Sequence, residues 1–183
     1  MRSQVLYIDN KWHPCYFFWK PDQQDGYLSN WFHSEFCIKD FDTVDEIWFT
    51  CSEQYFMWQK ANVFHDAIIA KEILNIEYRP SDYKYLGQQV HNFDQKIWDE
   101  NKYQIMFDAN YYKFTQNPEL KSELLFTEDA ILAEASPYDK IWGIGLSTQG
   151  IKGLYQDIGA WKGENLLGKV LMDVREKIRR EEM

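Results

Sequence analysis

The sequence predicts an α+β fold, a helix-rich single domain with a small N-terminal β-sheet. Three observations lead there. Short β-like stretches punctuated by Asp, Asn, Gly and Pro fill the first third. From Thr50 onward apolar residues recur at helical spacing. At 183 residues, 45% hydrophobic, the chain has the size of one domain with an ordinary core. No internal repeat, low-complexity tract or linker divides it, so residues 1–183 are expected to form one domain, with 1–15 as an N-terminal strand extension.

Strands are expected at Val5–Ile8, Tyr16–Trp19, Glu35–Ile38 and Glu46–Phe49. Between the second and third, the stretch Pro21 to Asn30 is too rich in turn formers to be regular. Thr50 and Glu53 have the spacing of a capping box, which predicts a helix starting there, with Phe56, Met57, Val63 and Phe64 on one side. Further helices are expected near Asp66–Asn75, Ser81–His91, Trp98–Thr115 and Pro118–Phe126, the last with Asn117 as N-cap and proline at the first helical position. Ala130–Ala135 reads as a short strand. Ser136–Gly153, with its proline and glycines and no period, reads as a loop. Asn165–Arg180 closes the chain as a packing helix, with Leu166, Leu167, Val170, Leu171, Val174 and Ile178 on one face.

Composition excludes some functions. A net charge of -9 and a pI near 4.9 repel a polyanion, which argues against tracking along nucleic acid, although a single base or strand end remains compatible. Three cysteines without CxxC spacing and four scattered histidines suggest neither a disulfide framework nor a zinc site. The N-terminus lacks the apolar core of a signal peptide, and no apolar run is long enough for a membrane span, so a cytoplasmic protein with no membrane partner is expected.

Polar and aromatic residues concentrate in Thr50–Lys60, around Trp98, and in Ser136–Gly145. Each has a bland reading. Glu53 serves as a helix cap, Lys60 as a solvated charge, Trp98 as core, and Asp139 as a turn former. The functional readings are a reacting carboxylate at Glu53, phosphate binding at Lys60, base stacking at Trp98, and close backbone approach to a ligand along Trp142-Gly143-Ile144-Gly145.

These segments, in this order, resemble the NADAR (YbiA-like) family. The resemblance runs through Gly26-Tyr27-Leu28-Ser29-Asn30, Thr50-Cys51-Ser52-Glu53-Gln54-Tyr55-Phe56 with Gln59-Lys60, Trp98-Asp99, and Lys113-Phe114 with Asn117-Pro118. It continues through Leu132-Ala133-Glu134-Ala135, Asp139 to Gly143, and Asn165 to Glu176. It implies an N-glycosidase acting on ribosylated amines, either ADP-ribose on guanine or a ribosylamino intermediate of riboflavin synthesis. The partner is then a small nucleotide or ADP-ribosylated guanine substrate, or an ADP-ribosylated nucleic-acid base. Carried over by position, the functional residues fall on Glu53, Trp98 and Asp139, with Lys60, Trp142, Gly143, Ser29 and Asn30 as substrate-binding neighbours. Lys20 stands where some members place a lysine that forms a Schiff base with the opened ribose. The chain departs from the family pattern at Gln54 and Met57, where a histidine and a glutamine are frequent.

Breaking a ribose C–N bond passes through an oxocarbenium-like state, which calls for a carboxylate facing the sugar and a donor to the leaving nitrogen. Glu53 and Asp139 are expected to share these tasks, with Trp98 and Trp142 orienting the base, and with no cofactor and no metal. The runner-up is a non-catalytic module that binds ADP-ribose or NAD. A third reading is a structural domain whose pocket is filled by its own side chains.

Overall fold

The computed structural model describes residues 4–8, 11–39, 45–75, 77–147 and 158–183. The elements in chain order are β1 (Gln4–Ile8), β2 (Lys11–Phe18), β3 (Phe36–Lys39), β4 (Glu46–Phe49), α1 (Ser52–Val63), α2 (Ala67–Ile73), α3 (Pro80–Gln88), α4 (Gln95–Gln116), α5 (Pro118–Phe126), β5 (Ile131–Glu134) and α6 (Leu166–Glu181). They form two compact units, one from residues 1–29 and 122–183, the other from residues 30–121. The α+β class is as expected. The strands, however, form two sheets, and β5, far along the chain, joins the first of them.

In the first unit the sheet order is β1-β2-β5. β1 and β2 are antiparallel, with Gln4 opposite Cys15 and Ile8 opposite Lys11. β2 and β5 are parallel, with Cys15 opposite Ile131 and Phe18 opposite Glu134. Strand β2 starts at Lys11, earlier than expected, and runs through Pro14. A proline cannot donate to a ladder, but the β5 ladder begins only at Cys15, so nothing on that side needs the missing N–H.

The core on this sheet holds Leu6, Cys15, Ala133, Ala135 and Ile144, with Phe17, Ile131 and Trp161 packed against it. α6 buries Leu167, Val170, Leu171, Val174 and Ile178, the predicted face, while Leu166 is half-buried. Two residues fix how closely α6 approaches β5. A Cβ at Gly168 would lie 2.0 Å from the Leu132 carbonyl oxygen, so no side chain fits there. Asn165, in the left-handed conformation, donates through Nδ2 to the Leu132 carbonyl (2.9 Å) and accepts the Glu134 N–H (3.0 Å). Further along the same helix, buried Arg175 donates to Thr127 Oγ1 (2.6 Å) and the Ala130 carbonyl (2.9 Å), holding the turn that leads into β5.

In the second unit β3 and β4 form an antiparallel hairpin, with Phe36 opposite Phe49. Phe36, Phe49, Tyr55 and Ala109 form a core cluster, with Phe36 and Phe49 stacked at 5.6 Å. α1 packs on α2, α3 and α4. Its approach to α3 requires Gly87, where a Cβ would sit 2.0 Å from Met57 Sδ. Met57, one of the two departures from the family pattern, is thus buried core. Asp66 caps α2 through Ile69 N–H (3.1 Å) and also accepts the His91 N–H (3.0 Å).

One predicted cap is built differently, and another has a second task. The N-cap of α1 is Cys51, and the group that reaches back to the Thr50 N–H is Gln54 Oε1 (2.7 Å), not the Glu53 carboxylate of a capping box. Gln54 is held in that pose because its Nε2 donates to the Ile73 carbonyl (2.8 Å). Asn117 precedes a proline-led α5 as expected, extended and with its carbonyl accepting the Lys121 N–H (2.9 Å), while its side chain donates to the Lys113 (2.8 Å) and Glu35 (2.9 Å) carbonyls. Asn117 thus also closes α4, whose last carbonyls need donors.

Replacing Arg175 with alanine removes both donors and leaves Thr127 Oγ1 and the Ala130 carbonyl buried without them. Chemical denaturation is expected to show a loss of ~2–4 kcal/mol, whereas Arg180→Ala, on the exposed side of the helix, is expected to cost less than ~0.5 kcal/mol.

Candidate functional site

In the second unit the chemistry gathers where α1 begins. The first N–H groups of a helix have no partner within it. Here the Glu53 N–H donates to the Asn30 carbonyl (3.1 Å), so the end of the turn-rich loop sits on the first turn of α1. Asn30 is buried. Its side chain contacts Met106 Sδ through Nδ2 (3.0 Å) and accepts from Asn110 Nδ2 (3.2 Å). Asn110 also donates to the Met106 carbonyl (3.0 Å) and accepts from Ser52 Oγ (3.4 Å). Glu53, 7% exposed, is therefore held in a buried first turn tied to α4.

One helical turn beyond Asn110 lies Lys113, fully buried, with its Nζ 5.1 Å from the centre of the Phe114 ring and 5.7 Å from that of Phe32. Burial pulls its pKa down from the ordinary lysine value to about 7, while the Cys51 thiol acts in the opposite sense. The Cys51 thiol itself is pushed up to about 11, chiefly by burial; Glu53 adds to the rise and Lys113 opposes it.

Trp98 lies one turn into α4 and is buried, its ring centroid 5.0 Å from that of Phe56. Lys60 donates to the Gly87 carbonyl (2.8 Å) and lies 4.5 Å from the Phe93 ring and 5.6 Å from the Trp98 ring. Partial burial lowers its pKa. Lys60 is thus not merely a solvated charge: it ties α1 to the end of α3 under an aromatic wall.

In the first unit, Lys20 follows β2, exposed, with Nζ 4.9 Å from the Trp19 ring centre. Trp19 in turn meets Tyr138 at 6.1 Å. Ser29 is buried and donates its N–H to the Gly26 carbonyl (2.9 Å). Asp139 Oδ1 accepts the N–H groups of Ile141 (2.9 Å) and Trp142 (2.8 Å), which organises its own loop. The carbonyls of Ile141, Trp142 and Gly143 accept the N–H groups of Leu166 (3.1 Å), Leu167 (3.0 Å) and Asn165 (3.2 Å), so the loop is strapped to the start of α6. The Ile144 and Gly145 N–H groups go to the Glu134 (2.8 Å) and Asp139 (3.2 Å) carbonyls. Residues 148–153 of the predicted loop lie outside the described residues.

The structure therefore brings Asn30 and Glu53 together, and Lys60 with Trp98, in one unit, and places Lys20, Ser29, Asp139, Trp142 and Gly143 in the other. Two residues near Glu53 escaped the sequence reading as site candidates, Asn110 and Lys113. The signal was present: both fall on the helical stripe of Met106 and Ala109, where a polar side chain must be paired or perturbed. Among the described residues, no group of three or more His, Cys, Asp or Glu side chains is gathered for a metal ion.

An α+β chain with this arrangement has known counterparts. Residues 17–179 match the NADAR domain family, and the chain belongs to it. N-glycosidase R617 of Acanthamoeba polyphaga mimivirus is 42% identical over 151 residues, 82% of this chain and 86% of the viral protein. N-glycosidase Npun_R5314 of Nostoc punctiforme is 32% identical over 163 residues, 89% of this chain and 92% of the cyanobacterial one. The NMR structure of the E. coli protein YbiA aligns with a TM-score of 0.69 at 29% identity, over 92% of this chain and 86% of that one. No helix among the described residues is long and apolar enough to cross a membrane.

The lowered pKa of Lys113 makes stability depend on pH. Between about 7 in the fold and ~10.4 in the unfolded chain, the unfolded state binds the extra proton, so stability rises with pH across that window. Denaturation midpoints of wild type are expected to climb from pH 7 to 9 more steeply than those of Lys113→Met, by on the order of 1 kcal/mol per pH unit at most. Parallel curves for the two proteins would show that Lys113 is not the group responsible.

Proposed function

We propose that this protein is an N-glycosidase that hydrolyses the C–N bond between a ribose and a nucleobase-like amine, with ADP-ribose on guanine as its substrate. The observation that carries the reading is the state of Glu53. It is a nearly buried glutamate whose backbone is fixed by Asn30, in a helix whose back-reaching cap is Gln54. Relatives named N-glycosidases cover most of this chain at 42% and 32% identity, which supports the same reaction class.

The reaction breaks the bond from C1′ to the base nitrogen and adds water: the hydroxyl goes to C1′ and the base leaves with a proton. Positive charge develops on the sugar as that bond lengthens. A carboxylate held in a low-dielectric first turn stabilises the charge or takes the proton of the attacking water, and fixed orientation removes the cost of arranging it during the reaction. Trp98, in the same unit, supplies a flat apolar surface for the base, with the Lys60 ammonium beside it for a phosphate oxygen. Lys20 is the candidate amine for a covalent route through the opened ribose, and Asp139, Trp142, Gly143 and Ser29 are candidates for the sugar, base and phosphate contacts.

The test is incubation of the protein and of Glu53→Gln with ADP-ribosylated guanosine, with product release followed by mass spectrometry. Wild type is expected to release ADP-ribose and the guanine product, and Glu53→Gln, equally folded, to be slower by ~10²–10⁴-fold. Retention of most of the turnover would remove Glu53 from the chemistry. Lys20→Arg is expected to abolish turnover if a Schiff base forms, and borohydride would then trap the wild-type protein on its substrate. Tight binding of ADP-ribose with no release from any ribosylated amine would favour the binding module. Release only from a ribosylamino riboflavin intermediate would reassign the substrate.

A further inference from the structure

We propose that Asn110 is a positioning residue for the reaction: it aims Glu53 by locking both chain segments that hold its backbone. The inference rests on the reading of Glu53 as the reacting carboxylate. Asn110 is fully buried in the C-terminal half of α4. Its Oδ1 accepts from Ser52 Oγ (3.4 Å), on the residue immediately before Glu53. Its Nδ2 donates to Asn30 Oδ1 (3.2 Å), and the Asn30 carbonyl is what receives the Glu53 N–H (3.1 Å). One amide thus grips Glu53 from two sides of the chain, through Ser52 along α1 and through Asn30 across to the loop. The second bond of Nδ2, to the Met106 carbonyl one turn back (3.0 Å), fixes the amide on its own helix.

An asparagine suits this place because it offers a donor and an acceptor on one rigid plane. In a dry interior each must be met, so the geometry has one low-energy arrangement. An apolar side chain of similar volume would pack but release both segments. An ionised aspartate would keep the acceptor while turning the donor into a negative charge facing two oxygens, Asn30 Oδ1 and the Met106 carbonyl. A protonated aspartate would restore one donor.

These differences give the test. In Asn110→Leu, kcat on the ribosylated substrate is expected to fall by about tenfold or more while KM stays within about threefold, since loss of orientation acts on the chemical step. In Asn110→Asp, activity relative to wild type is expected to recover as pH is lowered, which a change in packing alone would not produce. Independently of turnover, amide hydrogen exchange at Glu53 is expected to accelerate by about tenfold or more in Asn110→Leu. Unchanged kcat in folded Asn110→Leu, or a loss that lies wholly in KM, would overturn the proposal. So would unchanged exchange at Glu53. If wild type releases no base from any ribosylated amine, the glycosidase reading falls, and the exchange result alone decides whether Asn110 holds the Glu53 turn.

Discussion

A hydrogen bond from the Glu53 amide to the Asn30 carbonyl sets the geometry of the second unit. The N–H belongs to the set that every helix leaves unsatisfied at its start, and both residues are buried, so losing it would cost about 1–3 kcal/mol. Once that register is fixed, helical periodicity does the rest. Gln54 points back to Thr50 and across to Ile73, Met57 lies over Gly87, and Lys60, seven positions from Glu53, reaches the Gly87 carbonyl. The acidic side chain and the lysine beneath the aromatic wall thus belong to one helix read at different turns.

The first unit depends on an analogous joint between α6 and β5. Asn165 serves the backbone of β5 with both ends of its amide, and Gly168 lets the helix come within reach of it. The loop that carries Asp139 is then strapped to the first turn of α6 by three carbonyls. The N-terminal amides of α6 are spent on that strap, and Asp139 Oδ1 on the loop itself. The fold here invests its polar groups in holding a loop shape, which is why Asp139 has a structural role whatever its part in chemistry.

Much of this was legible in the sequence. The terminal helix was plain because its apolar positions repeat without interruption, and the short strand at Ile131–Glu134 was marked by its apolar run between turn formers. What escaped was partnering. Nothing local says that β2 pairs in parallel with a strand more than a hundred residues later, or that Pro14 is harmless because that ladder starts beside it. The cap at Thr50 was misassigned between neighbours because Glu and Gln both satisfy a back-reaching role, and only the Ile73 carbonyl decides for Gln54. Glu53, Trp98 and Lys60 are candidates by residue type and resemblance, whereas Asn110 and Lys113 are hidden inside an apolar stripe whose polar members acquire meaning only when α4 meets α1.

The role of Glu53 depends on where a ribose meets this protein. The direct measurement is the structure of the inactive Glu53→Gln variant bound to ADP-ribosylated guanosine. The residue 53 side chain is expected within hydrogen-bond reach of the scissile sugar or of the water beside it, with the Asn30 to residue 53 backbone bond intact. A ribose bound away from the start of α1, with residue 53 making no contact to ligand or water, would contradict it.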